Sequence, residues 1–273
     1  MVLFPNCKIN IGLNVTGKRT DGYHDLETVF YPVAVKDALE VIRSEEFNFH
    51  LTGLSVNGTT ENNLCVKAYY LLKKDFPDMP AVNIHLHKVI PMGAGLGGGS
   101  ADGAFMLTML NKKFQLHLSQ EHLISYALQL GSDCPFFIIN KPCFATGRGE
   151  NLSPVHVDLS AYKIVLVNPG IHVSTKEAFS KLGPALPKKS IQQIIQQPME
   201  SWKEELRNDF EETVFRLYPE IQSIKEQLYS YGAVYASMTG SGSTLFGIFK
   251  PEMISNLAQA LKGGESNVSI TIV

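Results

Sequence analysis

The sequence predicts an α+β protein with two domains. In the first third of its 273 residues, apolar and polar residues alternate in several segments, which is typical of half-buried strands. A glycine-rich run then joins one such strand to an amphipathic helix. In the second half, helical periodicity precedes a strand, a glycine loop and another strand, which is typical of helices packed on an antiparallel sheet. A change of character near residues 151–160 leads us to predict domains 1–152 and 153–273.

The first predicted domain alternates strands with capped helices. Its predicted strands are Val29–Val35, Leu39–Ile42, Phe47–Leu51 and Val82–Leu86. The pair Asn62-Asn63 precedes an apolar pattern that runs to Leu72, so we expect it to cap a helix. Ser100 and Ser119 are expected to cap two further helices, and the second of these ends at Gly131.

The later elements are predicted from short apolar runs and helix breakers. The predicted strands are Phe136–Ile139, Tyr162–Val167 and Val268–Val273, and a strand–loop–strand surrounds residues 238–243. One long helical region is expected from Met199 to Tyr231, broken at Pro219 because proline lacks a backbone N–H. A last helix is expected over Met253–Leu261.

Composition excludes several classes of function. Hydrophobic residues make up 44% and charged residues 18%, so we expect a packed core and no disorder. The formal net charge of −2, without a basic block, argues against nucleic-acid and membrane partners. The apolar runs are too short for a transmembrane helix, and the four cysteines are scattered, as expected for a reduced compartment. We therefore expect a soluble, cytoplasmic protein.

The glycine-rich run at residues 91–101 predicts an anion site. Five glycines fall in seven positions, Gly93 to Gly99. Glycine lets backbone N–H groups turn toward a ligand, and the N-terminus of the following helix adds unpaired donors and partial positive charge. Phosphate is the usual ligand of such a site. A flexible linker is the alternative, but linkers are polar on both sides and this run is not.

Two familiar phosphate loops fit poorly. A Walker A loop requires a lysine after the glycines, and none is present. Gly93, Gly95 and Gly98 satisfy the dinucleotide pattern G-x-G-x-x-G, but Pro91 interrupts the junction with the strand. Glu121, the candidate ribose-binding acid, falls in the first turn of a predicted helix. A Rossmann-type dehydrogenase therefore stays a weaker alternative.

The run resembles the central motif of the GHMP kinases, the superfamily of galactokinase and of homoserine, mevalonate and phosphomevalonate kinases. Their motif is roughly P-x-G-x-G-L-G-[GS]-[GS]-[SA]-A. The resemblance implies an N-terminal ribosomal-S5-like domain, a C-terminal ferredoxin-like domain and an active site in the cleft. It assigns to ATP the residues Asn63, Lys88, Pro91, Met92, Gly93, Ala94, Gly95, Leu96, Gly97, Gly98, Gly99, Ser100 and Ala101. ATP and Mg²⁺ are the expected cofactors, and the Ser100 hydroxyl is a candidate metal ligand, although a plain helix cap would explain it equally.

Two N-terminal segments resemble one branch of that superfamily. Residues 5–13 and 17–26 are similar to P-A-K-[IL]-N-L and G-x-R-x-D-G-Y-H-x-L, with Asn6-Cys7 in place of Pro-Ala. This branch uses ATP to phosphorylate the 2-hydroxyl of 4-diphosphocytidyl-2-C-methylerythritol in the non-mevalonate isoprenoid pathway. Galactokinase-type and mevalonate-type sequences carry G-E-H near the N-terminus, where this chain has Gly22-Tyr23-His24. Residues 239–244 resemble the third superfamily motif, a glycine loop near the phosphates.

The resemblance assigns catalysis to Lys8 and Asp133. Asp133 would accept the proton of the acceptor hydroxyl, and Lys8 would supply positive charge beside it. Without the resemblance, Asp133 is equally well explained as a cap of the next turn and Lys8 as a surface lysine.

The same resemblance assigns the acceptor to residues that are distant in sequence. Tyr23 and Phe179 would stack on the pyrimidine and His24 would hydrogen-bond its edge, although loop aromatics that pack on the sheet are the alternative. The substrate-binding residues assigned are Asn10, Tyr23, His24, Phe179, Gly240, Ser241 and Gly242.

The expected partner is this small molecule, a cytidyl diphosphate sugar alcohol, and we expect a monomer or weak homodimer. Two alternatives within the fold stay open: another GHMP-type kinase of the homoserine or mevalonate kind, and a non-catalytic nucleotide-binding protein.

Overall fold

The computed structural model describes residues 1–56, 58–179, 182, 187–255, 257 and 268–273. Two compact units divide the chain. The first unit comprises Met1–Lys8, Ala34–Met92 and Gly97–Lys141. The second comprises Ile9–Val33, Gly93–Leu96 and Pro142–Val273. The glycine-rich run is therefore shared between the two units, while the predicted boundary at residues 152 and 153 stays a prediction.

The first unit contains a sheet with both antiparallel and parallel strand pairs. Its strands lie in the order β1 (Val2–Leu3), β4 (Ala38–Arg43), β6 (Val82–Lys88) and β5 (Asn48–Gly53). β4 runs antiparallel to β6, whereas β5 runs parallel to it and is connected to it through a helix. This arrangement differs from the doubly wound parallel sheet of a dinucleotide-binding fold, so the Rossmann alternative is wrong.

The register of this sheet separates its two faces. Val41 lies opposite Ile84 and Leu39 opposite Leu86, and all four side chains are fully buried. His85, one residue away on β6, is exposed because successive side chains point to opposite faces of a strand. The predicted alternation in this strand is therefore confirmed.

Four helices belong to the first unit: α1 (Leu64–Asp75), α2 (Gly98–Phe114), α3 (Gln120–Leu130) and α4 (Cys134–Ile139). Two predicted caps are confirmed. The Asn63 side chain accepts a 2.9 Å hydrogen bond from the Cys65 amide at the start of α1. Ser119 accepts from the His122 amide at the start of α3, and that helix ends at Gly131.

Two predictions in this unit are wrong. Phe136–Ile139 was expected to be a strand but lies in α4, where Pro135 occupies the first turn, a position that favours a helix start. A short buried apolar run does not distinguish strand from helix. Ser100 was expected to cap α2, but Gly97 is its cap residue, with φ +70°, and Ser100 is already within the helix.

A second sheet lies in the order β2 (Asn6–Lys18), β3 (His24–Lys36), β7 (Cys143–Thr146) and β8 (Asn151–Pro154). β7 pairs antiparallel with both β3 and β8. The predicted strand Val29–Val35 lies within β3. Lys8 and Asn10, two of the predicted site residues, both lie on β2.

The third sheet belongs to the second unit and is antiparallel throughout, as predicted. Its order is β10 (Tyr235–Met238), β11 (Leu245–Phe249), β9 (Lys163–Asn168) and β12 (Ser269–Ile272). The helices of this unit are α5 (Thr175–Phe179), α6 (Ile191–Ile194), α7 (Trp202–Glu205), α8 (Phe210–Leu217) and α9 (Pro219–Ser230).

The predicted long helix is interrupted twice. α9 begins at Pro219 as expected, but residues 206–209 also leave the helix. There the backbone of Leu13 accepts from the Asp209 amide and donates to the Arg207 carbonyl, both at 2.8 Å. Pairing with β2 thus replaces helical hydrogen bonds. The predicted helix Met253–Leu261 lies largely outside the described residues, and Pro251–Met253 forms a 3-10 turn.

None of the helices in the described part of the chain is long and apolar enough to cross a membrane.

A buried group of three charges lies in the first unit. The Lys88 ammonium donates to Asp37 and, at 2.7 Å, to Asp102 Oδ2. Asp37 Oδ1 also accepts from the Val89 and Ile90 amides at 2.6 and 2.8 Å. Burial raises the pKa of Asp102 to about 7, although the Lys88 charge opposes this shift. One cation between two buried carboxylates leaves one negative charge in excess.

This raised pKa makes stability depend on pH. Since folding raises the pKa of Asp102 from 3.8 to about 7, the folded chain holds a proton that the unfolded chain has lost. The free energy of unfolding therefore falls as pH rises through that interval. We expect Asp102→Asn to remove this loss, so that urea unfolding shows similar stability near pH 4 and a gain on the order of 4 kcal/mol at pH 8. The exposed control Asp78→Asn should follow the wild-type profile, and parallel profiles for Asp102→Asn and wild type would contradict the assignment.

Candidate active site

Lys8 and Asp133 form an ion pair in the first unit. The Lys8 Nζ lies 3.6 Å from Asp133 Oδ2, and the two side chains are 4% and 35% exposed. Burial lowers the pKa of Lys8, and the nearby charge of Asp133 acts in the opposite direction. The pair therefore places a proton acceptor that solvent can reach beside a buried cation.

Asp133 is positioned by a turn between α3 and α4. It occupies the cap position of α4, but its side chain makes no capping hydrogen bond. The Cys134 amide instead donates to the Gly131 carbonyl at 3.2 Å. The structure thus argues against the capping alternative for Asp133 and leaves its carboxylate for chemistry.

The second half of the glycine-rich run starts α2 beside Lys8. A Cβ at Gly97 would lie 3.0 Å from Phe137 Cζ and 3.2 Å from the Lys8 side chain, and the residue has φ +70°. The left-handed backbone and the lack of space for a Cβ both require glycine at position 97. The first amides of α2 have no helical partner and carry partial positive charge, so an anion is favoured here.

A cavity of about 250 Å³ lies in the first unit. Four residues that the sequence assigned to ATP line it: Asn63, Lys88, Met92 and Gly99. The remaining lining residues are Phe49, Leu51, Val56, Gly58, Thr59, Thr60, Asn62, Leu64 and Asp102. This mixture of apolar side chains and a few polar groups is typical of a pocket for a small molecule.

The first half of the glycine-rich run packs on the third motif within the second unit. A Cβ at Gly95, which has φ +79°, would lie 1.9 Å from the Thr239 carbonyl oxygen. Thr239 Oγ1 lies 3.1 Å from the Gly95 carbonyl oxygen, and the Thr244 amide donates to the Ala94 carbonyl at 3.3 Å. The two glycine loops, far apart in sequence, are therefore in direct contact.

Asn10 joins this contact from β2. Its backbone amide donates to Thr239 Oγ1 at 3.1 Å, and its side-chain amide donates to Thr28 Oγ1 at 3.0 Å. Its side-chain oxygen lies 3.1 Å from the Thr239 hydroxyl. Asn10 is buried, so the structure gives it a role in holding the third motif; its role as a substrate contact stays a prediction.

The predicted aromatic residues also lie in the second unit. His24 stacks on Phe179, with ring centroids 4.5 Å apart and planes inclined by 19°. Phe210 meets Phe179 edge-on at 4.8 Å. Tyr23 is 56% exposed, and the Arg148 guanidinium lies 4.9 Å from its ring centroid.

Comparisons with known proteins show the family of the chain. Two family models match, GHMP kinases N terminal domain over residues 63–141 and GHMP kinases C terminal over residues 190–264. A Bacteroides fragilis protein named 4-diphosphocytidyl-2-C-methyl-D-erythritol kinase is 55% identical over 256 residues, which cover 92% of this chain and 93% of the relative. The chain belongs to this kinase family.

Other relatives extend the match. The Porphyromonas gingivalis protein of the same name is 43% identical and covers 93% of this chain, with 94% of the relative covered. A crystal structure of 4-(cytidine 5'-diphospho)-2C-methyl-D-erythritol kinase has a TM-score of 0.81 and 30% identity, and the match covers 100% of this chain and 98% of that one. A Methanococcus jannaschii mevalonate kinase structure has a TM-score of 0.73 at 14% identity, covering 100% and 97%, which shows a shared fold.

The role of Ser100 as a metal ligand stays a prediction. Its hydroxyl interacts with the Cys134 thiol, whose pKa burial raises to about 12. The described residues contain no group of three or more histidine, cysteine, aspartate or glutamate side chains suited to a metal ion.

Sequence reasoning gave no role to two residues of this kinase that contact predicted substrate-binding residues within the second unit. Thr239 was included in the third motif but was assigned no role, and its contacts lie 229 positions away at Asn10. Arg148 was not singled out at all. Its only sequence signal is its place between Gly147 and Gly149 in a turn.

We expect the Thr239 hydroxyl to support nucleotide binding. Thr239→Val keeps the side-chain shape but removes the contacts of the hydroxyl with Asn10 and with Gly95 of the glycine-rich run. The loss of these hydrogen bonds costs about 1–1.5 kcal/mol, so the KM for ATP should rise roughly five- to tenfold in steady-state assays. Thr239→Ser, which restores the hydroxyl, should stay near the wild-type value. An unchanged KM in the valine variant would exclude this role.

Proposed function

We propose that this kinase transfers the γ-phosphoryl group of ATP to the 2-hydroxyl of 4-diphosphocytidyl-2-C-methyl-D-erythritol, a step of non-mevalonate isoprenoid biosynthesis. The Bacteroides fragilis relative named 4-diphosphocytidyl-2-C-methyl-D-erythritol kinase is 55% identical over 256 residues. The observation that carries the proposal is the Lys8–Asp133 pair beside the start of α2.

The pair performs the acceptor chemistry. Asp133 accepts the proton of the 2-hydroxyl as that oxygen forms its bond to the γ-phosphorus. The bond between the γ-phosphorus and the leaving oxygen of ADP breaks in the same displacement. Lys8 stabilises the developing negative charge, and its burial strengthens that effect because the local dielectric is low.

The donor is held by the residues that the central motif assigns to ATP. The amides at the start of α2 and the glycine loop bind the triphosphate, with Ser100 at the helix start. Asn63 and Lys88 line the cavity that receives the nucleoside. The ammonium of Lys88 is bonded to two buried carboxylates, so its contribution to the cavity is its aliphatic stem and its backbone. Mg²⁺ enters as part of the MgATP substrate.

The acceptor is held by residues of the second unit. Tyr23 offers an exposed ring for the cytosine base, and His24 and Phe179 form a stacked pair that supplies a hydrogen-bonding edge and an apolar face. Asn10, Gly240, Ser241 and Gly242 are proposed to complete the substrate contacts. The Ser241 hydroxyl lies 3.3 Å from that of Thr175, on the exposed side of the loop.

The wider setting is also a proposal. Four free, buried cysteines and a formal net charge of −2 support a reduced, cytoplasmic setting without nucleic-acid or membrane partners. We propose that the enzyme acts as a monomer or weak homodimer.

We expect Asp133→Asn to remove the base while leaving nucleotide binding intact. Because general base catalysis contributes about 10²- to 10⁴-fold, kcat should fall at least about a hundredfold in a coupled ADP-release assay, with the KM for ATP within about twofold. Asp158→Asn, at an exposed position, is the matched control. Turnover within a few-fold of wild type would exclude Asp133 as the base.

Competing substrates distinguish this proposal from other kinases of the same fold. We expect ADP release with the cytidyl substrate and none with homoserine or mevalonate. The reverse pattern would overturn the proposed substrate, and ATP binding without turnover of any alcohol would favour a non-catalytic nucleotide-binding protein.

A further inference from the structure

Arg148 covers one face of the Tyr23 ring in the second unit. Its guanidinium lies 4.9 Å from the ring centroid, within the range of a cation–π interaction. Tyr23 is otherwise an exposed aromatic residue directly before β3, with 56% of its surface open to solvent. One face of the ring is therefore occupied, and the opposite face is the one left for a flat ligand.

The turn between β7 and β8 holds Arg148 in this position. The Arg148 amide donates to Glu150 Oε2 at 2.6 Å, and its Nε lies 3.7 Å from Glu150 Oε1. The Gly147 carbonyl accepts from the Leu26 amide at 2.7 Å, and the Gly149 amide donates to the Thr146 carbonyl at 3.1 Å. The turn is thus attached to β3 three residues beyond Tyr23.

The other contacts of Tyr23 fix its backbone but not its ring. Its amide donates to Asp21 Oδ1 at 3.1 Å, and its carbonyl accepts from the Arg19 amide at 2.8 Å. The second nearby guanidinium, that of Arg19, is bonded to Asp21 and Asp25. Among the described residues, Arg148 is therefore the cation placed to orient the aromatic plane.

We propose that Arg148 is a positioning residue for the pyrimidine of the acceptor, acting through Tyr23. This inference rests on the proposed function, in which Tyr23 stacks on cytosine. The guanidinium fixes the ring plane before the substrate binds, so binding does not have to order a free aromatic side chain. A planar guanidinium suits this task better than an ammonium, because it stacks on the ring as well as attracting it.

A double-mutant cycle with Arg148→Ala, Tyr23→Ala and the combined variant tests the proposal. We expect Arg148→Ala to raise the KM for the cytidyl substrate about fivefold and to leave the KM for ATP unchanged. In the Tyr23→Ala background, the same change should have no further effect. Arg148→Lys should recover part of the loss, and Arg43→Ala, at an exposed strand position of the first unit, should match wild type.

Calorimetric binding of cytidine diphosphate to the same variants gives a readout that needs no turnover. We expect the same pattern of affinities, with a loss in Arg148→Ala that disappears in the Tyr23→Ala background. Equal losses in both backgrounds would show that Arg148 acts independently of Tyr23 and would overturn the proposal. No loss in Arg148→Ala beside a clear loss in Tyr23→Ala would also overturn it.

The outcomes distinguish failure of the proposed function from failure of the positioning role of Arg148. If the wild-type enzyme binds cytidine diphosphate with the expected coupling but phosphorylates no cytidyl alcohol, the proposed function fails and the positioning role stands. If it turns over the cytidyl substrate and the cycle shows no coupling, the proposed function stands and the positioning role fails.

Discussion

The candidate active site depends on one constraint: at the glycine-rich run, the backbone lies so close to neighbouring groups that a side chain would not fit. At Gly97 a side chain would collide with Phe137 and with the stem of Lys8, and at Gly95 it would overlap the Thr239 carbonyl. The glycines therefore serve the protein's own packing as well as the ligand. Lys8 is buried where it is because α2 starts without a side chain in its way. The third motif reaches the central loop for the same reason.

The first unit contains two buried lysines in opposite electrostatic situations. Lys88 has two buried carboxylates, and their charges raise its pKa in spite of burial. Lys8 has Asp133, which is a third exposed, and burial prevails so that its pKa falls. The ammonium of Lys88 is bonded to both carboxylates and is held within the core. The acidic partner of Lys8, in contrast, can be reached by solvent.

Local signals made part of this structure predictable. The caps at Asn63 and Ser119 and the stop at Gly131 follow from hydrogen bonding within one turn, which short sequence patterns encode. The segment Phe136–Ile139 shows the limit of such patterns, since a buried run of apolar residues satisfies strand and helix equally. The break at residues 206–209 depends on pairing with Leu13, and no window of sequence contains both partners.

The same distinction applies to the site. The central motif predicted a phosphate site because glycine spacing and a helix start are local. The contact of Thr239 with Asn10 and that of Arg148 with Tyr23 join residues more than a hundred positions apart, so they needed the fold. The family resemblance assigned Lys8 and Asp133 to catalysis. The structure shows that Lys8 Nζ lies 3.6 Å from Asp133 Oδ2, so the two residues form an ion pair.

Substrate choice in this superfamily is separable from the fold. A mevalonate kinase shares the fold with this chain at 14% identity, so the backbone arrangement does not by itself specify the alcohol. The ring proposed to stack on cytosine, that of Tyr23, is instead an exposed side chain on a turn, and Arg148, proposed to orient it, lies on another turn. Replacing such side chains disturbs little of the core, because turns tolerate change that buried strands do not. The donor side is constrained by backbone contacts at the glycines, whereas the acceptor side depends on side chains that can change without altering those contacts.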